Sequence, residues 1–381
     1  MAQKGFARIR AFIKKEMMLS VSLAAALISM LITPPSRDLL SGIDWKTLAT
    51  LLMLLSVLDG FKTEHLFNPL IRLTGHIRTR MGLAFFLIFS VFFSSMFVTN
   101  DVSLIIFVPL TMMLFKAGDH EDYIIPVLVL ENIAAVRGSL LTPFGSPQNL
   151  FLYSRSGLGA GAFMGMMLPL WIGSILLLAI FIRVLYRKCG REQIPGSREA
   201  GRSVWLPERR GKRILYLALF VLVLVTIVTR TGRWPLITLI VMGALALFDR
   251  SVFKRVDYVL LLTFLCFFIF SSSLSANPTI AAFLKASVAG HEYAWSILLS
   301  QVISNVPASI VLWPFTTNLK ALLYGLDSAG LVSAIGSLAS VINMRLYTRE
   351  YPGRGGDFML QFEKISLIFF AVILIPQLLI C

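Results

Sequence analysis

The sequence predicts an all-α polytopic membrane protein, built as an inverted repeat with two re-entrant hairpins, two broken helices and about nine full crossings. Three observations carry this. The chain of 381 residues is 57% hydrophobic and only 14% charged, against about 25% charged in soluble domains. Its apolar stretches approach the ~20 residues needed to span ~30 Å of hydrocarbon. Two of them hold a polar break in the middle, "FVTNDVSLIIFVPLT" at 97–111 and "VISNVPASIVLWPFT" at 302–316.

Taken in order, residues 1–15 are basic and lead into a first span near 16–34, expected as a retained helix rather than a cleaved signal. Further spans are expected near 45–61, 164–183, 213–230, 234–249, 256–275 and 361–380. Segments 123–153 and 328–347 are interrupted by Gly, Pro, Ser and Asn and read as broken helices. Regions 81–116 and 293–323 read as hairpins. In the first, the arm Val102 to Phe115 has 14 residues and reaches only ~21 Å, and no Lys or Arg flanks the tip. Short amphipathic helices are expected at 66–78 and 277–290.

Charge sets the orientation. With the N-terminus in the cytoplasm and each hairpin counted as no crossing, 27 of the 35 Lys and Arg fall in cytoplasmic segments, 7 lie opposite and Arg137 is within the membrane. This is the positive-inside pattern, and it puts the C-terminus on the other side of an inner, plasma-type membrane. The net charge of +15 is thereby explained without nucleic acid. The basic stretch 184–212 is expected to be a cytoplasmic linker between a first repeat, 1–183, and a second half, 213–381, that opens with a linking helix. Cys189, Cys266 and Cys381 and the four scattered histidines match no metal or disulfide spacing. Neither a nucleophile–base set nor a His pair for intramembrane catalysis is present, so no enzyme and no cofactor is expected.

The halves match. "IDWKTL" at 43–48 answers "VDYVLL" at 256–261. Asn100, Pro109 and Thr111 recur at the same spacing as Asn305, Pro314 and Thr316, and Thr99 matches Ser304. "TPFGSPQNLFLY" aligns with "GSLASVINMRLY", pairing Ser146 with Ser340, Asn149 with Asn343 and Tyr153 with Tyr347. Four crossings per half and one linking helix turn the second copy upside down. Inverted repeats whose broken helices meet near the midplane are the architecture of many secondary transporters.

The tips carry the chemistry. Thr99, Asn100 and Asp101, and their counterparts Ser304 and Asn305, precede apolar runs as helix N-caps do. Such helix starts attract anions, and the two breaks free carbonyls that can hold a cation. Asp101, Glu131 and Arg137 each cost roughly 2.5–3.5 kcal/mol in a span. Asp101 reads as a coupling-proton or cation site, or as an acidic cap. Glu131 has two readings, a functional buried acid or a solvated or Arg-paired one. Arg137 has two as well: a contact to an anionic solute, or a structural partner for Asp101 or loop carbonyls.

"SSMFVTNDVSLIIFVPL", "LLSQVISNVPASIVLWPF" and "GSLLTPFGSPQNLFLY" resemble the paired Ser-Asn-Thr hairpin tips and the Gly-Thr-Pro-Pro-Asn break of the ion transporter superfamily. That superfamily includes divalent anion/sodium symporters, citrate transporter-like permeases and arsenite efflux permeases. The resemblance is strongest over 81–153 and 293–347. It implies an elevator-type cycle in which Thr99, Asn100, Ser304 and Asn305 touch substrate or coupling ion. Thr142, Gly145, Ser146 and Asn149 would line one ion site, with Ser340 and Asn343 their repeat equivalents. Departures are Asp101 in place of Thr, "SNVP" in place of Ser-Asn-Thr, and "SLASVIN" without the Gly-Thr-Pro-Pro core. They point away from a second sodium site and a dicarboxylate, and toward proton coupling through Asp101.

The resulting expectation is a secondary transporter of a small anion or oxyanion-like solute, citrate- or arsenite-like, coupled to protons or sodium. The alternatives are a sodium/proton antiporter and, in another class, a passive channel or structural membrane subunit. The expected partners are the solute and the lipid bilayer, with a homodimer left open.

Overall fold

A computed structural model describes residues 16–33, 42–74, 77, 79–117, 121–187 and 210–380. Residues 1–15 and most of the basic linker, 188–209, lie outside the described residues. The described chain is helical throughout. In order, the helices are α1 (Met17–Ile32), α2 (Trp45–Thr63), α3 (Asn68–Leu73), α4 (Arg80–Val98), α5 (Asn100–Ala117), α6 (Ile124–Gly138), α7 (Pro147–Ser156) and α8 (Ala160–Leu185). The second half holds α9 (Arg210–Thr229), α10 (Trp234–Phe248), α11 (Tyr258–Ala276), α12 (Pro278–Val288), α13 (Glu292–Ile303), α14 (Asn305–Leu312), α15 (Leu319–Val332), α16 (Leu338–Glu350) and α17 (Gly355–Ile380).

Five of these, α4, α8, α9, α11 and α17, are long and apolar enough to cross a membrane by themselves. Their exposed residues are large and apolar, for example Leu176, Val184, Leu217 and Ile375. Water would not tolerate such continuous patches; lipid does. The all-helical architecture expected from the sequence is the one observed.

The two copies start alike because the same cap starts each. Asp44 accepts from the Thr47 amide at 3.0 Å and opens α2. Asp257 accepts from the Leu260 amide at 2.9 Å and opens α11. Each carboxylate satisfies an orphan donor of its first turn. These are the aspartates that align "IDWKTL" with "VDYVLL".

Each copy then forms a helical hairpin followed by a broken helix. The first hairpin is α4–α5 and the first broken helix α6–α7; the second pair is α13–α14 and α15–α16. The packing follows one rule in both copies. The first arm lies on the proximal half of its own broken helix, α4 on α6 and α13 on α15. The second arm lies on the distal half of the other copy's broken helix, α5 on α16 and α14 on α7. The repeats are thus interlocked at both breaks. α17 closes over α6 and α15, while α1 packs on α11 and α9 and α10 pack on α2.

Some boundaries differ from the sequence expectation. α5 has 18 residues, about 27 Å, rather than a 14-residue arm, because Asn100 and Asp101 at its start and Lys116 and Ala117 at its end are themselves helical. Length alone therefore does not stop the first hairpin short. The arms of the second are shorter, 12 and 8 residues reaching about 18 and 12 Å. The second hairpin ends at Phe315, not 323. Asn318 caps α15 by accepting from the Ala321 amide at 3.0 Å, so 319–323 belong to the broken helix. Of the two short surface helices, 277–290 forms α12, opened by Asn277 and Pro278. Only Asn68–Leu73 of 66–78 is α-helical among the described residues.

Candidate functional site

The tips form where backbone geometry is least comfortable. Thr99 has φ 71° and ψ 155°, and Ser304 has φ 68° and ψ 159°. This region is essentially reserved for glycine and costs about 1–3 kcal/mol for other residues. Two such residues at repeat-equivalent positions, each between two helix arms, mark a shared design. The side chains do not cap as the sequence suggested. Ser304 makes no side-chain cap bond, and Asn100 Oδ1 accepts from the adjacent Asp101 amide at 3.0 Å. The carbonyls of Thr99 and Ser304 start the helices instead, accepting from Ser103 and Ala308 at 3.2 and 3.1 Å. The reason is the strained φ, which turns the tip side chains away from the first-turn amides.

The breaks sit against the tips. In the first, residues 139–146 are unwound. The Asn100 amide donates to the Gly145 carbonyl at 3.3 Å, and Thr142 Oγ1 donates to the Met96 carbonyl at 2.5 Å. A Cβ on Gly145 would lie 2.1 Å from the Ser139 carbonyl oxygen, so only glycine fits. The second break repeats this, with Gly336 2.1 Å from the Ala329 carbonyl by the same measure. Ser146 opens α7, accepting from the Asn149 amide at 3.4 Å, with Pro147 in the first turn. Asn149 Nδ2 donates to the Leu140 carbonyl at 3.4 Å and ties α7 back across the break. Asn305 Nδ2 donates to the Leu326 carbonyl at 3.3 Å, which fixes the second tip to α15.

The two tip regions are joined by residues the sequence reading passed over. Gln148 Nε2, three residues from Gly145, donates to Asp327 Oδ1 at 2.9 Å. Asp327 follows Leu326, the anchor of the second tip. Arg137 is fully buried; its Nη1 donates to the Asp327 carbonyl and to Ser328 Oγ, both at 3.3 Å. Of its two expected roles, this geometry supplies the contact to a carbonyl, made to the other repeat rather than to the break of its own. Asp101 is not its bonded partner. Ser340 and Asn343 face the first repeat: Asn132 Nδ2 donates to Ser340 Oγ at 3.0 Å, and Asn343 Nδ2 to the Leu128 carbonyl at 2.7 Å. They are not hydrogen-bonded to Ser304 or Asn305. Asp327 was legible as an acid inside "LYGLDSAGLV", the signal that marks an intramembrane ionisable group as functional by default.

A cavity of about 180 Å³ opens onto the first tip. Thr99 and Asp101 line it together with Pro147 at the start of α7 and Leu338 at the start of α16. With Asp257 at the start of α11, four helix N-termini thus border one space, each carrying about half a positive charge. At its other end stand Asp59, Lys62, Arg255 and Asp257. Arg255 Nε bonds Asp59 Oδ2 at 2.6 Å and its Nη1 bonds Ser251 at 2.7 Å. Burial works against the Arg255 charge, yet the Asp59 bond and the Asp249 charge raise its pKa above the ordinary value. Burial likewise works against Asp249, but Ser251, Tyr216, Lys212 and Arg255 hold its carboxyl below the usual range. This turn between α10 and α11 is a fixed ionic rim. Arg137 does not line the cavity.

Paired strained tips, interlocked broken helices and a cavity that brings a few charged side chains to the first tip, within an apolar helical body, define a membrane transporter. The family model described as citrate transporter matches residues 10–337. The inner membrane protein YbiR of Escherichia coli is 32% identical over 315 residues, covering 80% of this chain and 81% of its own. A protein of Methanocaldococcus jannaschii named as an uncharacterized transporter is 29% identical over 308 residues, with 80% and 81% covered. A 46 kDa membrane protein of Mycobacterium leprae is 23% identical over 346 residues, with 80% and 79% covered. The chain belongs to the CitMHS citrate transporter family.

Proposed function

We propose that this chain is a secondary active transporter of a small anion or oxyanion-like solute, driven by protons or sodium, in which both hairpins are re-entrant and carry the solute past the remaining helices by an elevator-type movement. The observation that carries this reading is the cavity bordered by the strained tip at Thr99 and by the starts of α5, α7 and α16. The helix starts gathered there favour an anion, and a carboxylate at Asp101 in the same cavity supplies a site for a coupling cation. Family membership supports a carboxylate solute, and the departures from the two-sodium pattern support a proton as the driving ion.

In this reading Thr99 and Asn100 meet the solute from one side and Ser304 and Asn305 from the other. Thr142, Gly145, Ser146 and Asn149 hold a cation against the first tip. The N-terminus and the Asp59–Arg255 rim face the cytoplasm, the C-terminus the opposite side, so the cavity is the inward route. Arg137 orders the centre by fixing the second repeat's main chain.

The test is uptake into proteoliposomes of the purified chain across a panel of citrate, succinate, arsenite and sulfate, with proton and sodium gradients imposed separately. Gradient-driven accumulation of one anion supports the reading. Flux that ignores both gradients would make the protein a channel; proton-for-sodium exchange without any anion would make it an antiporter.

A further inference from the structure

The proposed cycle gives Glu131, a buried acid, no task. Glu131 is fully buried in α6, which packs against α5 and α16. Thr111 Oγ1, on the second arm of the first hairpin, donates to Glu131 Oε1. Oε2 has no hydrogen-bond donor among the described residues. The neighbouring amides are engaged elsewhere, Asn132 with Ser340 and Asn343 with the Leu128 carbonyl.

Charged groups on the elements around α6 are spoken for or distant in sequence from this turn. Arg80, at the start of α4, lies over the Tyr123 ring at 4.7 Å. Of the α5 charges, Asp101 lines the cavity and Lys116 pairs with Glu350 of α16 at 3.2 Å. On α15, Asp327 takes Gln148 and Lys320 lies over Tyr324 at 5.6 Å. Arg345 and Arg349 of α16, Glu363 and Lys364 of α17, Arg183 of α8 and Glu121 and Asp122 before α6 form no ion pair or hydrogen bond with Glu131 among the described residues. The one side chain from another element acting on it is Thr111.

An ion without a counter-charge is costly to bury, whereas a neutral acid needs only hydrogen bonds, so burial of this side chain and binding of a proton go together. The partner is placed to break that link. Thr111 sits two residues past Pro109, which deprives the Ile105 carbonyl of its helical donor and weakens α5 at this height. A cavity of about 390 Å³ lined by Pro109, Met112, Lys116 and Glu350 runs along the same stretch of α5.

We propose that Glu131 is a second proton-carrying site of the transport cycle, holding a proton while α5 is seated on α6 and passing it to water when the arm bearing Thr111 shifts and opens the carboxyl to solvent. The role rests on the transporter reading above; the site does not.

Two measurements on the reconstituted full chain separate these. The first needs no solute. Infrared difference spectra between acid and alkaline buffer contain a protonated-carboxyl band in the parent that is missing in Glu131→Gln. The second follows citrate, succinate and arsenite into vesicles containing a pH dye. Glu131→Gln loses pH-gradient-driven accumulation by about tenfold or more while solute exchange stays within about twofold. Thr111→Val keeps exchange and displaces the pH profile. If Glu131→Gln does not fold, Glu131→Asp replaces it: a retained but displaced pH profile supports the site. An unchanged carboxyl band in Glu131→Gln, or an unchanged pH profile in Thr111→Val and Glu131→Asp, overturns it. Accumulation in the parent driven by sodium and indifferent to pH overturns it as well, while leaving the transporter reading intact. A parent that moves none of the solutes removes that reading, and the infrared band still decides the site.

Discussion

Arg137 and Asp327, one from each repeat, meet at the boundary between them. Each stands two residues before the carbonyl that its repeat's glycine covers, Ser139 under Gly145 and Ala329 under Gly336. Arg137 Nη1 bonds the Asp327 carbonyl while Asp327 Oδ1 takes Gln148 of the first repeat. Two residues of opposite charge thus join the breaks without lining the cavity at the first tip. Removing the Arg137 guanidinium leaves the buried Asp327 carbonyl and Ser328 hydroxyl without this donor, at about 1–3 kcal/mol for an unsatisfied buried group. Arg137→Met should therefore lower the detergent-solubilised melting temperature sharply. Adding Asp327→Asn to it should cost less than the sum of the two single changes. Additive losses would show that the two residues act independently.

The strained tips make an opposite prediction. Thr99→Gly and Ser304→Gly each remove a positive-φ penalty of about 1–3 kcal/mol, offset in part by about 1 kcal/mol of added freedom in the unfolded chain. Each variant should melt no lower than the parent, yet transport more slowly because the hydroxyl and the fixed tip geometry are lost. Thermal melting alongside flux decides this. A variant that melts far lower and transports normally would make the tips purely structural.

The glycines at the breaks should tolerate nothing larger. Gly145→Ala and Gly336→Ala each push a methyl to 2.1 Å from a carbonyl oxygen. The break must open to make room, and the Asn100–Gly145 bond goes with it in the first case. Reduced yield of folded protein on size-exclusion chromatography is the expected readout. Gly165→Ala, where nothing lies within 4 Å, is the control that should behave as the parent.

The ionic rim gives a pH dependence with a definite sign. Asp249 is held below the ordinary carboxylate range, although burial alone would raise it. A depressed folded-state value stabilises the fold above the unfolded pKa of about 3.9, and this contribution is lost as pH falls through the folded value. Asp249→Asn should lower the melting temperature at neutral pH and make little difference at the acid end. A constant difference across the range would mean that the carboxylate does not supply the effect.

Much of this was readable from the sequence, and the limits have physical causes. The Asn–Pro–Thr spacing and the paired aspartates at 44 and 257 survive as tips and caps because local backbone chemistry dictates them. The strained φ of Thr99 and Ser304 left no signature, since neither is the glycine or asparagine that usually marks such a turn. Asp327 was missed because the second broken helix was begun at 328, one residue after it, whereas α15 starts at Leu319. The Thr111–Glu131 and Arg137–Asp327 contacts join residues 20 and 190 apart. The first contact is made by α5 packing on α6 within one repeat, and the second exists only because the two repeats interlock.

Asp101 tests the driving ion. Its side chain lines the same cavity as Asp257 and is not bonded to Arg137. Asp101→Asn should keep solute exchange and lose the response to an imposed pH gradient, measured in the same vesicles. An unchanged pH response would remove Asp101 from the coupling mechanism.

The most direct measurement compares gradient-driven uptake by Asn100→Ala and Asn305→Ala with the parent in proteoliposomes at matched protein density. If the two tips share one solute site, both substitutions should depress uptake by at least about tenfold, with half-saturation shifted upward in each. Uptake that stays at the parent level in both variants, at every concentration tried, would contradict the shared site.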